Sequence, residues 1–370
     1  MKKVEVTELF YDLVFVYAIS QMTSLLEHTE HGMIALPSLL AFAVSFIILI
    51  NSWMYQTVFT NRYGRYAVMD SLILFADMAI LLFLSNSLAS DLRAVFRPFC
   101  LALGLLSLSL LLQYALKYGS ARAEADRRLI RDYIVMLAIR SGLILAGAVL
   151  PFRAGVAVAL SGVLIGWVMP SFFVRNMRPT PVNFPHLVER LTLLVIITFG
   201  ETIVGIASWF TLETLNLWSV LVFVIVVAMF GCYVIAFNKL IDEENDADTG
   251  VGLIYTHYPI LLGVSFVTVS LSFLAEEEIR LSFSTLLLFV GMALFYTGIL
   301  LNGKRNKNRY RYPKSFWLIL TAALLLGLAA GLLCGRAETA IMAGAAVASV
   351  FAVGNLYFYH KGIRINHGGN

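Results

Sequence analysis

Charge is scarce in this chain: Asp, Glu, Lys and Arg make up only 14% of its 370 residues. Soluble domains carry about 25%, so a water-facing globular surface is excluded. Proline is also sparse, at nine residues, and the 26 glycines are no more than an ordinary share, which rules out collagen-like and low-complexity classes. The three cysteines, Cys100, Cys232 and Cys334, fall inside or at the edge of apolar runs. Their spacing builds neither a disulfide framework nor a metal knuckle. No segment between apolar runs is long or polar enough for a soluble domain.

What the chain has instead is apolar sequence. Hydrophobic residues reach 59% and mean hydropathy is +0.82. Runs of about 20 residues, each able to cross roughly 30 Å of hydrocarbon as a helix, recur twelve times, at 8–26, 34–59, 67–88, 95–117, 131–151, 153–174, 187–208, 216–238, 252–274, 282–301, 315–335 and 338–359. This predicts an all-α polytopic membrane protein with twelve transmembrane helices.

Basic residues then orient it. With an inside amino terminus, the inside loops and tails hold 20 of 27 Lys plus Arg, and the outside loops only Arg93, Arg97, Arg153, Arg280 and Arg336. The positive-inside pattern therefore predicts cytoplasmic termini. The basic run Lys304 to Lys314 reads as an anchor on anionic lipid, and the acidic run Asp242 to Asp248 as a solvated loop. Twelve spans also permit two parallel six-helix halves, 1–180 and 181–370, divided at the proline-rich Arg178-Pro-Thr-Pro-Val-Asn-Phe-Pro185. A faint echo agrees: Phe10-Tyr-Asp12-Leu-Val14 with Ala18 matches Phe199-Gly-Glu201-Thr-Ile203 with Ala207.

The first run, Glu8-Leu-Phe-Tyr-Asp12-Leu-Val-Phe-Val-Tyr-Ala-Ile-Ser-Gln21, carries carboxylates and aromatics where a signal peptide needs an acid-free stretch. It is expected to be retained, and its acids need partners away from lipid. At 100° per residue, His186, Arg190, Glu201 and Ser208 share an arc of about 60°, with Glu189 beside it. The same arithmetic pairs Glu8 with Asp12, Asp70 with Asp77, and His257 with Thr268 and Ser272. Four spans thus present polar stripes, which should line one interior. Glu8, Asp12, Asp70, His186, Glu189, Arg190 and His257 fall in a cytoplasmic tier, and Asp77, Arg140 and Glu201 near mid-membrane. Arg140 calls for a carboxylate, with Asp77 or Glu201 the candidates. Acids outnumber the basic residues in reach, so one of them should carry an exchangeable proton or face a bound cation. Glu201 is the expected one. Pro170 and Pro259 read as kinks in their spans.

ELFYDLVFVYAISQ at Glu8 to Gln21, HLVERLTLLVIITFGETIVGI at His186 to Ile206, and Tyr255-Thr-His257-Tyr-Pro259 resemble the bacterial low-temperature-requirement A family. The resemblance implies a multi-pass protein of the bacterial inner membrane and carries no reaction or substrate with it. Its motif residues are Glu8, Asp12, His186, Glu189, Arg190, Glu201 and His257. The first span is also similar to the Phe-Ser-Asp opening of potassium channels built from six-helix repeats, with Tyr11 in place of the serine.

The leading functional expectation is a proton-coupled secondary transporter with a proton or substrate site at Asp12, Glu201, Arg140, Asp77 and Asp70 and a cytoplasmic pocket at Glu8, His186, Glu189, Arg190 and His257. A cation channel and an intramembrane metal-dependent or lipid-modifying enzyme are the alternatives, with a sensor or scaffold behind them. No catalytic set, metal site or cofactor is assigned. The expected partners are the bilayer and a small solute or ion, with self-association open, and no nucleic acid.

Overall fold

In lipid every backbone polar group must be bonded internally, which leaves helices as the solution for apolar runs of this length. The computed structural model describes residues 4–64, 68–88, 92–244, 248–276 and 279–367. Among them it has thirteen helices: α1 Val6–Ser24, α2 Leu36–Tyr63, α3 Val68–Asn86, α4 Leu92–Ser120, α5 Glu124–Val149, α6 Phe152–Val168, the short α7 Val174–Met177, α8 Phe184–Gly205, α9 Leu217–Ile235, α10 Val251–Phe273, α11 Leu281–Asn302, α12 Lys314–Cys334 and α13 Ala337–His367. One two-residue hairpin, Thr29–Glu30 with Met33–Ile34, is the only sheet described.

Eleven of the long helices are long and apolar enough to cross a membrane. The twelfth expected span, α8, has 22 residues and matches them in length. Glu189, Arg190 and Glu201 all lie within it, and this charge sets it apart. Pro170 ends α6 in a 3₁₀ turn, Met169–Ser171, whereas Pro259 lies inside α10. Of the acidic run Asp242 to Asp248, residues 245–247 lie outside the described residues, as do Lys2, Lys3 and Arg65 of the basic tally.

Local chemistry sets the helix ends. The Asn183 side chain accepts the His186 N–H at 3.2 Å and so caps α8, whose second residue is Pro185. Asn216 caps α9 by accepting from the backbone of Trp218 and Ser219. Gly335 ends α12 at φ +60°, a left-handed conformation that glycine adopts without strain. Gly250, at φ +78°, opens α10, and a side chain there would also collide with Leu187.

The chain forms two compact units. The first comprises residues 1–28, 35–191 and 244–254, and the second 29–34, 192–243 and 255–370. In the first, α5 packs on α4 and α6, and α1 on α3. An aromatic cluster fills its core, with Tyr114 stacked on Tyr133 at 4.8 Å and Phe59 edge-on to Tyr114 at 4.9 Å. In the second, α13 packs on α9 and α12, and α11 on α12. There α10 and α11 approach backbone to backbone, because Gly263 and Gly291 each leave no room for a Cβ beside the other's carbonyl.

Candidate functional site

In the first unit α1, α2 and the opening turns of α8 bring together two acid–base pairs. Arg190 Nη2 donates to Asp12 Oδ1 at 2.9 Å, and His186 Nε2 faces Glu8 Oε2 at 3.3 Å. None of the four residues is more than 3% exposed. A buried charge is costly unless paired and hydrogen-bonded, so the pairing answers the anomaly of acids in an apolar run. Glu8 has a second duty: Oε2 also accepts the Glu5 N–H at 3.1 Å, which closes a capping box at the start of α1.

Helix α2 supplies the supporting partners. Trp53 Nε1 donates to Asp12 Oδ1 at 2.8 Å, and its ring lies 5.3 Å from the Arg190 guanidinium carbon. Thr57 Oγ1 accepts from Arg190 Nη2 at 3.4 Å. Asn61 is tied at both ends of its amide: Oδ1 accepts the Asn183 N–H at 2.9 Å, and Nδ2 donates to the Asn183 carbonyl at 2.9 Å. Those two backbone partners fix which amide atom is nitrogen. Nδ2, 3.1 Å from His186 Nδ1, is then a donor there. Nδ1 must accept, and the ring proton lies on Nε2, toward Glu8.

These pairs are not saturated. Among the described residues, Glu8 Oε1, Asp12 Oδ2, and Arg190 Nε and Nη1 are buried without a hydrogen-bond partner. Native interiors leave few such atoms.

Deeper in the same unit lies a second polar group. Asp77, the tenth residue of α3 and roughly 14 Å along it, accepts from Gln113 Nε2 at 3.4 Å through Oδ2, while its Oδ1 is buried without a hydrogen-bond partner among the described residues. Gln113 and Gln56 exchange bonds at 3.1 and 3.3 Å. The Arg140 guanidinium lies over the Tyr55 ring at 5.2 Å, and Gly166 leaves room for the Arg140 stem. Tyr55 itself donates to the Gly166 carbonyl.

Two separate cavities of about 20 Å³ each adjoin these groups, a size that accommodates one water molecule. Glu8, Asp70, Gln56 and Gln113 wall one of them. The other is walled by Gln56, Asp77, Arg140 and Tyr11. Gln56 belongs to both. Asp70 also pairs with Lys117 at 4.0 Å.

The remaining sequence candidates differ in burial and in the unit they belong to. Glu189 is exposed on α8, although it neighbours the buried stripe. Glu201 belongs to the second unit and is partly exposed. His257, fully buried in the second unit, bonds Tyr233 Oη at 3.0 Å and packs 4.8 Å from the Phe237 ring. Tyr233 Oη is also 3.5 Å from Thr192 Oγ1. Thr202 and Thr268 exchange a hydroxyl bond at 2.7 Å.

Trp53, Thr57, Gln56 and Gln113 are site residues that carry no charge to mark them in the sequence, and Asn61 is marked there only by its match to Asn238. The spacing of Trp53, Thr57 and Asn61 at i, i+4 and i+8 was the available signal, since it places them on one helical face. No group of three or more His, Cys, Asp or Glu able to hold a metal occurs among the described residues. Glu8 and Asp12 direct their bonded oxygens at His186, Arg190 and Trp53 instead.

Fold and site together define a polytopic α-helical membrane protein with a charged network buried among its helices. Residues 3–367 match the family described as Bacterial low temperature requirement A protein (LtrA). The chain belongs to that family. A search of curated proteins found no match.

Proposed function

We propose that the chain is a proton-coupled secondary transporter whose proton-handling groups are Glu8, Asp12, Asp70 and Asp77. The observation that carries this reading is the pair of cavities sharing Gln56, with Glu8 and Asp70 on one and Asp77 and Arg140 on the other. Carboxylates that flank single-water spaces can exchange a proton with that water without large movement of the backbone, and the hydrogen-bonded Gln56–Gln113 amides orient the water rather than carry the proton. The Asp12–Arg190 pair supplies the coupling step. Protonating Asp12 removes the negative half of the pair, so that Arg190, whose Nε and Nη1 have no partner among the described residues, becomes able to hold an anionic group of a solute. A broken helix is not required, because the unsatisfied atoms are already at hand.

The test uses the purified full chain in vesicles loaded with a pH-sensitive dye. Cationic, anionic and zwitterionic solutes are added in turn, and one class should trigger proton movement. Asp77→Asn keeps the hydrogen-bonding shape and removes the exchangeable proton, so it should abolish that movement while the folded protein is recovered in normal yield. Step-like single-channel currents without solute-coupled proton flux would identify a channel instead. An unchanged flux in Asp77→Asn would remove Asp77 from the path.

A further inference from the structure

Where α2 ends and α4 turns into α5, the first unit holds a cavity of about 1120 Å³. Its wall is electrostatically one-sided: Arg62, Lys117, Arg122 and Arg127 line it, against one carboxylate, Asp126. Lys117 is partly engaged by Asp70 at 4.0 Å. The three arginines are less occupied. Arg122 and Arg127 are exposed, and the one side-chain bond described for either is Arg127 Nε to the Ala121 carbonyl at 2.8 Å. Arg62 reaches Thr180 through Nη1, while its Nε and Nη2 have no partner among the described residues. The first turn of α5 starts at the same wall. Its cap residue, Ala123, offers no side-chain acceptor to the helix N–H groups.

We propose that this cavity binds a phosphate-bearing anion, the headgroup of an anionic lipid or a free phosphoester, through Arg62, Arg122 and Arg127. Three planar guanidinium forks around one space suit the several oxygens of a phosphate better than the two of a lone carboxylate. An uncapped helix start adds donors of the same sign. Basic pockets between membrane helices near the interface are also the usual seat of anionic headgroups. The volume admits a headgroup or a small metabolite. The cavity adjoins the buried network, because Asn61 and Asn183 line it and also hold His186. Binding at this site is independent of the transport reading, so it is measured without flux.

The full chain is placed in phosphatidylcholine nanodiscs and titrated calorimetrically with inorganic phosphate. A parallel sample with phosphatidylglycerol is analysed by native mass spectrometry for retained lipid. The double variant R122Q/R127Q changes two exposed residues and should fold. It should weaken whichever ligand binds at least about tenfold, and R62Q should act in the same direction. K304Q, an exposed lysine in a different loop, should change nothing. Phosphate binding without lipid retention identifies a soluble phosphoester, and retained lipid that phosphate does not displace identifies a headgroup. The proposal fails if neither ligand binds the unmodified chain, if R122Q/R127Q binds as well as the parent, or if K304Q loses as much as the double variant.

Discussion

Helix α8 runs through both compact units and solves the problem of buried polarity in two ways. Its opening turns, in the first unit, bury His186 and Arg190 against Glu8 and Asp12. Its closing turns, in the second, bury Thr198, which donates to the Leu194 carbonyl, and Thr202, whose hydroxyl lies 2.7 Å from Thr268 Oγ1. With one proton each, Thr268 donates to the Val264 carbonyl at 2.9 Å and Thr202 donates across to Thr268, so both hydroxyls are satisfied. The ionic pairs leave oxygens and nitrogens over. A saturated network holds helices together and has little reason to change. An unsaturated ionic one keeps a capacity to exchange partners.

Arg190→Ala is the most damaging substitution at the opening turns of α8. It strands the buried Asp12 carboxylate and should cost about 3–5 kcal/mol, read by thermal unfolding in detergent. Adding Asp12→Asn should recover a large part of that loss. A double-mutant cycle with no coupling would mean that the pair does not act as one unit. Trp53→Phe keeps an aromatic ring but removes the donor to Asp12 and part of a fully buried indole, so it should cost at least about 1.5–3 kcal/mol, the range for hydrogen bonds to charged groups. In the second unit Gly263→Ala should cost about 1–3 kcal/mol through overpacking against the α11 backbone, a steric loss with no effect on proton movement. Thr202→Val is expected to be mildest, at about 0.6 kcal/mol, the average for interhelical hydrogen bonds in membranes. Were Thr202→Val to cost as much as Arg190→Ala, the contrast between the two ends of α8 would vanish.

The helices were legible because a membrane leaves apolar runs one backbone solution, and the observed ends lie close to the expected ones. Divergence is largest at the carboxyl terminus, where α13 continues to His367. The acids and bases of the first unit were legible too, since Glu8, Asp12, His186 and Arg190 are costly anomalies in their runs. Their neutral partners were not. Trp53, Thr57 and Asn61 carry no charge, so composition does not mark them, and only the partner helix reveals what their shared face is for. Glu189 illustrates the limit of helical-wheel arithmetic: it borders the buried stripe in angle, yet its side chain is exposed. His257 illustrates another limit. A stripe on one helix does not name the helix it meets, and here the ring bonds Tyr233 on α9.

The double tie between Asn61 and Asn183 makes the residue pair a mechanical read-out of the turn preceding α8. While the clasp is closed, the amide presents N–H to His186 and dictates which ring nitrogen carries the proton. Pulling the turn away releases the amide to rotate, and an oxygen turned toward Nδ1 would favour the opposite tautomer, taking the N–H away from Glu8. A displacement of one peptide unit is thereby converted into a change of proton position on a ring, legible in the ¹⁵N spectrum of a single labelled histidine.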